Sequence, residues 1–182
     1  MLHIMFVRSS AVNRAASNGA YASIRRTSMG FLGICGNGKG VCHLTIKDSR
    51  SSVLQELRSH HKLHNETNVF MEKWCDRIAS YIDGERNSVG KVPLNLSGTS
   101  FQRRVWNEIA SIPPGTTISY LELARRVRSS AYARAVARAC GDNPVPVLIP
   151  CHRVISSSGG LGGFGLGLDK KRMLLRHEGI DV

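Results

Sequence analysis

A chain of 182 residues can form one large domain or two small ones, and its 42% apolar residues suffice for a packed core. No apolar run approaches the roughly 18 residues of a membrane-spanning helix, so the sequence argues against that class. The formal net charge is +12, from 25 basic and 13 acidic residues. This excess predicts an anionic partner, most commonly nucleic acid; the alternative is a basic protein without such a partner.

The positive charge is concentrated at the two ends of the sequence. Residues 1–47 contain six basic residues and no acidic one, residues 48–97 contain seven of each, and residues 98–182 contain twelve basic and six acidic residues. Residues 1–27 lack periodicity and are rich in Ser, Ala, Asn and Arg, which predicts a disordered basic tail. An organellar transit peptide has a similar composition and stays open as the alternative.

The cysteines are odd in number and irregular in spacing: Cys35, Cys42, Cys75, Cys140 and Cys151. No clean signal peptide precedes them, so free thiols in a reducing compartment are expected. That compartment would be the cytoplasm of a prokaryote or the nucleus of a eukaryote.

Six potential zinc ligands lie close together in the sequence: Cys35, Cys42, His43, His60, His61 and His64. Their spacing matches no standard zinc site. We therefore predict no metal and no cofactor, and expect buried structural cysteines and surface histidines instead.

Residues 28–94 have the pattern of a small α/β domain. Two apolar runs, Gly30–Cys35 and Val41–Ile46, flank a glycine-rich stretch and predict a hairpin with a slightly long turn. Helices are predicted at Val53–His60 and Val69–Ile82. The second helix has four side chains at three- and four-residue spacing that are expected in the core: Phe70, Trp74, Ile78 and Tyr81.

The remaining residues, 98–182, follow a linker at Lys91–Gly98 and are predicted to be mostly helical. After a helix that begins near Ser100, Ser119 and Glu122 form a capping box that starts a short helix. Alanine-rich Ala131–Cys140 forms the next one. Arginines are frequent in this pair: Arg125, Arg126, Arg128, Arg134 and Arg138. The pattern indicates a DNA-binding helix-turn-helix, although helical hairpins that bind no DNA share it.

A proline-framed segment, Asn143–Pro150, leads directly to Cys151 and His152. A thiolate needs a base or a positive neighbour to be a strong nucleophile near neutral pH. Adjacent residues of an extended segment point to opposite sides, so a water-mediated contact between Cys151 and His152 is expected. A histidine base also needs an acceptor at its second nitrogen, for which Glu178 is the candidate. The alternative is a buried, inert cysteine.

The sequence PCHRV at Pro150–Val154 resembles the active-site signature of the O6-alkylguanine-DNA alkyltransferases, also called methylated-DNA–protein-cysteine methyltransferases. Further family-like blocks follow the family's order and spacing: Thr117–Tyr120, Ala133–Val136, Asn143–Pro146 and Leu174–Gly179. The resemblance covers about Gly98–Gly179 strongly and Gly30–Ser97 weakly. It implies a ribonuclease H-like α/β domain over residues 28–94 and a mostly helical, winged-helix-like domain over residues 98–182.

The resemblance implies direct-reversal DNA repair by a monomer. One alkyl group would move from O6-alkylguanine, or O4-alkylthymine, in double-stranded DNA to Cys151, once per protein molecule. His152 would be the water-mediated base, Glu178 would orient it, and Tyr120 would donate a proton to the departing guanine. Since an alkylated base inside a duplex cannot meet the thiol, it would have to be flipped out.

The DNA contacts implied by the resemblance lie on the helix pair. Arg134 would enter the stack where the base leaves, with the helix lying in the minor groove. The other DNA-binding residues would be Tyr120, Arg125, Ala133, Ala135 and Arg138.

Asn143 would brace the helix pair against the active-site segment. The pocket would further include Pro146, Val154, Gly162, Phe164 and Gly165. Gly165 stands where some relatives have a serine that holds the guanine, and Phe164 stands where Tyr is frequent. Both differences remove a hydroxyl group.

Two other classes of protein stay open. A non-catalytic relative would flag lesions for other repair systems, but such relatives replace the acceptor cysteine, commonly with Trp. A cysteine hydrolase using Cys151, His152 and Glu178 would turn over many times, and it would leave Arg134 without a role.

Overall fold

The structure is a computed structural model and describes residues 19–85 and 88–182. The described residues form two compact units, 19–96 and 97–182. Residues 1–18 of the predicted disordered tail lie outside the described residues. The rest of that prediction is wrong, because Tyr21–Thr27 forms strand β1. The strand pairs with β2 over its whole length, which satisfies the backbone groups that face β2 and orders the segment despite its polar and basic side chains.

The unit of residues 19–96 contains a three-stranded antiparallel sheet in the order β1-β2-β3, with β2 at Gly30–Asn37 and β3 at Gly40–Lys47. The hairpin is as predicted, but its turn is shorter. Pairing continues to the strand ends, so that only Gly38 and Lys39 lie between them. A two-residue turn suits the right-handed twist of paired strands.

Helices α1 (Arg50–His60) and α2 (Val69–Ile82) pack against this sheet. Val53 and Leu57 of α1 are fully buried. The helix approaches the sheet at Gly33, where a Cβ atom would lie only 2.1 Å from the Val53 side chain. Glycine is therefore required at this point of β2.

Helix α2 has the predicted bounds but not the whole predicted core face. Met71, Cys75 and Ile78 are buried. Phe70, expected in the core, is 64% exposed, and its ring lies 6.0 Å from that of Trp74. The prediction for Phe70 is wrong because the buried stripe of this helix begins one residue later, at Met71.

The unit of residues 97–182 is mostly helical. Its helices are α3 (Ser100–Ala110), α4 (Tyr120–Val127), α5 (Ala133–Gly141) and α6 (Leu168–His177). Two short strands, β4 (Ile118–Ser119) and β5 (Val154–Ile155), pair in parallel. Helix α5 starts later than predicted, because Ser130–Tyr132 forms a 3-10 turn between α4 and α5.

Side-chain caps and one buried indole fix these helices. Thr99 and Gln102 form a capping box at the start of α3. The Ser119 hydroxyl accepts a hydrogen bond of 3.0 Å from the backbone N–H of Glu122 and caps α4. Trp106 of α3 is buried, and its indole N–H donates to the carbonyl of Ala139 in α5 at 2.8 Å.

The fold as a whole is mixed α/β. None of the helices among the described residues is long and apolar enough to cross a membrane.

Candidate active site

The proline-framed segment, Asn143–Pro150, folds back on itself and positions Cys151, which follows it directly. The Ile149 N–H donates to the Val145 carbonyl at 3.0 Å. Val147 between them has φ of 77°, a left-handed conformation that a β-branched residue rarely adopts. Such a conformation persists only where the surrounding structure holds it, and it is frequent beside functional sites.

Asn143 connects the end of α5 to the active-site segment. Its side-chain NH2 donates to the Ile149 carbonyl at 2.8 Å and to Cys151 Sγ at 3.1 Å. Its side-chain oxygen accepts from the Val145 N–H at 3.1 Å. Asn143 thus holds the backbone of the segment and also contacts the thiol, so it affects both the position and the ionisation of Cys151.

The Cys151 thiol is held in a site that water hardly reaches. The residue is only 5% exposed and begins a 3-10 turn that continues to Arg153. Burial raises the pKa of Cys151, while the hydrogen bond from Asn143 and the positive charge of Lys171 act in the opposite direction. These two groups offset part of the effect of burial and so reduce the cost of forming the thiolate.

His152 and Glu178 are brought together as the sequence predicted. His152 Nε2 lies 2.9 Å from Glu178 Oε1, and both side chains are buried. Burial lowers the pKa of His152, with Glu178 opposing this. Burial raises the pKa of Glu178, but its hydrogen bonds with His152 and Arg153 outweigh burial and hold that pKa well below its usual range. Within residues 19–85 and 88–182, the other ring nitrogen, His152 Nδ1, has no protein hydrogen-bond partner.

Sequence reasoning missed the role of Arg153. Its Nε donates to Glu178 Oε2 at 2.9 Å and its Nη2 to Glu178 Oε1 at 2.7 Å, while Nη1 donates to the Ile112 carbonyl. The Glu178 carboxylate therefore interacts with two groups: the Arg153 guanidinium and the His152 imidazole, which is cationic when it is protonated. The position of Arg153 inside the PCHRV block was the only available signal.

Lys171 of α6 was also missed. The side chain is fully buried, and Nζ donates to the carbonyls of Val154 at 2.7 Å, Leu161 at 2.6 Å and Gly163 at 3.3 Å. Burial lowers the pKa of Lys171 to about 8. This residue fastens the glycine-rich loop to the strand that follows Cys151.

A cavity of about 350 Å³ opens beside the thiol and is lined by Tyr120, Ala137, Cys140, Gly141, Cys151, Gly163, Phe164 and Gly165. The Tyr120 hydroxyl donates to the Gly163 carbonyl at 3.3 Å. Burial raises the pKa of Tyr120 to about 12, so the phenol stays protonated at neutral pH. A Cβ atom on Gly162 would lie 2.7 Å from the Tyr120 ring.

Phe164 and Gly165 are the predicted pocket residues that line this cavity, whereas Asn143 and Gly162 lie next to the lining residues Cys151 and Tyr120. Pro146 and Val154 are buried but are not among the residues that line it. Val154 supports the cavity indirectly, because its carbonyl accepts a hydrogen bond from Lys171, which also donates to Gly163 in the cavity wall.

Helix α5 carries a basic face next to the cavity. Arg134 and Arg138 are exposed and lie one turn apart on the same side of the helix. Ala135 is exposed and Ala133 half-buried, so little side-chain bulk surrounds the two arginines. Arg125 is exposed on the neighbouring helix α4. Since Ala137 of α5 also lines the cavity, one helix joins the basic face to the thiol site.

Three of the six potential zinc ligands meet in the other unit. The ligand atoms of Cys35, Cys42 and His61 lie within 4.8 Å of one another. His43 stays outside this trio, its Nε2 lying 3.4 Å from Glu56 Oε1.

A buried cysteine at a small cavity, beside a helix with an exposed basic face, suits a thiol-dependent enzyme with an anionic substrate. Residues 100–180 match the family described as 6-O-methylguanine DNA methyltransferase, DNA binding domain. The structure of Mycobacterium tuberculosis OGT in complex with DNA is similar over 87% of this chain and 92% of that chain, with 34% identity and a TM-score of 0.72. The chain belongs to this methyltransferase family, which confirms the resemblance found in its sequence.

Two curated relatives agree. The methylated-DNA–protein-cysteine methyltransferase of Mycobacterium bovis is 46% identical over 103 residues, covering 57% of this chain and 62% of that protein. The bifunctional transcriptional activator/DNA repair enzyme Ada of Escherichia coli is 34% identical over 143 residues, covering 77% of this chain and 40% of that protein. The chain thus spans less than two thirds of the length of these curated relatives.

Proposed function

We propose that this protein repairs DNA by direct reversal, transferring the alkyl group of O6-alkylguanine, or of O4-alkylthymine, to its own Cys151. The observation that carries the proposal is the Cys151 thiol at the cavity, hydrogen-bonded by Asn143, beside the buried His152–Glu178 pair. The reaction is a displacement at a saturated carbon. A carbon–sulfur bond forms as the carbon–O6 bond breaks, and its electron pair leaves with the guanine.

Proton movements complete the reaction. The Cys151 proton passes through a water to His152 Nδ1, the ring nitrogen that has no protein partner among the described residues. Glu178 stabilises the imidazolium that results, since its carboxylate stays ionised. Tyr120, protonated at neutral pH, donates its proton to the departing guanine. The product is a thioether, which ordinary hydrolysis does not cleave, so each molecule reacts once.

The pocket holds the extruded base. Tyr120, Phe164 and Gly165 line the pocket and Gly162 lies against the Tyr120 ring, while Lys171 connects Val154 to Gly163 of the same loop. Pro146 is assigned to this pocket by the family resemblance. Phe164 packs edge-on against His152, with ring centroids 6.2 Å apart. Gly165 and Phe164 offer no hydroxyl, so recognition of the guanine relies on backbone groups and on Tyr120.

DNA binding is assigned to the α4–turn–α5 pair, which we interpret as a helix-turn-helix. Arg134 enters the base stack when the alkylated nucleotide is flipped out. Ala133 and Ala135 let α5 lie close to the minor groove, and Arg138 and Arg125 neutralise phosphates. The protein acts as a monomer on double-stranded DNA, and the charge of +12 supports a polyanionic partner.

The finer fold assignment follows the same proposal. The antiparallel β1-β2-β3 sheet with α1 and α2 is interpreted as ribonuclease H-like, and residues 97–182 as winged-helix-like. A reactive thiol among five free cysteines suits a reducing compartment, cytoplasmic or nuclear.

Counting methyl groups per protein tests the proposed function. The protein is incubated with an excess of duplex that carries O6-methylguanine, and its intact mass is measured. We expect one added methyl group per chain, located on Cys151 by peptide mapping. Zero methyl groups with retained lesion binding would instead identify a non-catalytic binder, and lesion loss in molar excess over protein would identify a multiple-turnover catalyst.

Removing the Asn143 hydrogen bond is expected to move the pH dependence of transfer to higher pH. The transfer rate rises with pH as Cys151 ionises, and a hydrogen bond to a charged group is worth roughly 1.5–3 kcal/mol, or one to two pKa units. Asn143→Ala should therefore react about 10- to 100-fold more slowly at neutral pH, and recover at high pH. Single-turnover rates across the pH range measure this.

Asn143→Asp is the matched variant for this experiment. It keeps the acceptor for the Val145 N–H but places a negative charge at the thiolate, so its profile should move further than that of Asn143→Ala. If both variants lowered the rate equally at every pH, Asn143 would act only as a brace.

A further inference from the structure

At the end of α4, one arginine has an aromatic partner instead of an acidic one. The guanidinium carbon of Arg128 lies over the Tyr132 ring, 4.8 Å from its centroid. The Tyr132 ring lies 6.0 Å from the ring of Phe101, which belongs to the first turn of α3, at an angle of 38°. The end of α4, the start of α5 and the start of α3 therefore meet at these three side chains.

This arrangement leaves the charge of Arg128 available. Arg126, two residues earlier, forms an ion pair with Glu122, whereas Arg128 has no carboxylate partner among the residues that the structure describes. Residues 123–141 contain five arginines and no acidic residue. An aromatic face attracts a cation without bringing a negative charge to it. Arg128 thus keeps its full charge for a partner outside the chain.

The backbone is fixed on both sides of the Arg128–Tyr132 contact. The Arg128 N–H donates to the Ala124 carbonyl at 2.9 Å, and the Tyr132 N–H donates to the Ser129 carbonyl at 3.1 Å. Tyr132 is half-buried, whereas Arg128 is exposed. A mobile surface arginine loses side-chain entropy when it binds a partner. Because Arg128 already rests on a ring that is held in place, it loses less.

We propose that Arg128, held by Tyr132 and Phe101, is a further DNA contact and binds a phosphate of the DNA backbone. This inference rests on the proposed function, which assigns DNA to the α4–turn–α5 pair. Arg128 follows Arg125 by three residues, the spacing of neighbours on a helix surface, and so extends the basic face of α4 toward the start of α5. The N–H groups of a guanidinium lie in its plane and match phosphate oxygens, and contact between its face and a ring leaves them free. Tyr132 and Phe101 are positioning residues, because they act on DNA through Arg128.

Binding of the full protein to a short undamaged duplex, measured across a range of salt concentrations, tests the phosphate contact. Each such contact contributes about 0.9 to the slope of log K against log salt. Arg128→Ala should therefore reduce this slope by about one unit and weaken binding roughly five- to tenfold at about 0.1 M salt. The difference from wild type should vanish as the salt concentration approaches about 1 M.

Arg172→Ala is the control for net charge. It removes one exposed arginine of α6 that is already paired with Asp169, so the salt slope should stay at the wild-type value. If Arg128→Ala kept the wild-type slope too, the phosphate contact would be refuted while the proposed function stood. Wild-type protein that failed to bind the duplex would overturn both.

A double-mutant cycle tests the positioning role of Tyr132. Tyr132→Leu keeps an apolar side chain next to Phe101 but removes the aromatic face, and should weaken binding about two- to fivefold. Tyr132→Phe, which keeps the ring, should restore it. In the Arg128→Ala background, Tyr132→Leu should have no further effect. An equal loss in both backgrounds would show that Tyr132 supports the fold and does not position Arg128; circular dichroism of each variant checks that it folds.

Discussion

Cys151→Ala is expected to abolish alkyl transfer and to leave DNA affinity within about threefold of wild type, a change of less than 1 kcal/mol. Of the five cysteines, all of which lie in the described part of the chain, Cys151 alone combines a position on the cavity wall with the hydrogen bond from Asn143. The variant should fold, because Asn143 keeps its hydrogen bond to the Ile149 carbonyl. Transfer from labelled duplex and equilibrium binding to the same duplex provide the two measurements.

Cys140→Ala is the matched control for the acceptor. Cys140 lines the same cavity and is also buried. In this variant the label should still appear on Cys151, as located by peptide mapping. If Cys151→Ala protein were instead labelled on Cys140 at the wild-type rate, Cys151 would not be the acceptor.

The candidate catalytic residues illustrate what the sequence alone could provide. Cys151 and His152 are adjacent, and the prolines before them mark an ordered segment. Glu178 lies 26 residues beyond His152, and the requirement that a histidine base needs an acceptor identified it in advance. The 2.9 Å contact agrees with that expectation, although the role of each residue stays a prediction.

Arg153 and Lys171 could not be predicted in the same way. Charged residues are almost always exposed, so a sequence pattern assigns them to the surface. Both are buried here, because the fold places carbonyls and a carboxylate around them: Ile112 and Glu178 for Arg153, and Val154, Leu161 and Gly163 for Lys171. These partners are distant in sequence and lie together only in the folded chain.

The errors in the fold have a similar origin. Strand β1 contains Arg25 and Arg26 next to each other, which locally resembles a solvated tail. The segment is ordered because it pairs with β2. Little in the sequence indicates this pairing, since Ile24 is the one large apolar core residue in the strand. For Phe70, helical spacing was compatible with either edge of the buried stripe of α2, and the packing of Met71 decided between them.

Arg134→Ala is expected to separate base flipping from chemistry. The Arg134 side chain is exposed on α5 and is not among the residues that line the cavity beside Cys151. Its planar guanidinium can stack and hydrogen-bond in the gap left by the extruded base. Flipping costs a few kcal/mol, and losing this compensation should slow repair of duplex DNA by roughly 100-fold. Reaction with free O6-benzylguanine needs no flipping and should slow by less than about threefold.

Three comparison variants test whether a changed ratio of the duplex rate to the free-base rate is specific to Arg134. Arg138→Ala removes the neighbouring charge on the same face, so it should weaken DNA binding and its salt dependence but leave the rate at saturating DNA nearly unchanged. His152→Ala and Glu178→Ala should slow both substrates, since both reactions need an activated Cys151. Single-turnover rates with duplex and with free base, measured for all four variants, decide the matter. If Arg134→Ala slowed the free base as much as the duplex, Arg134 would be a structural residue of α5 and not the residue that fills the stack.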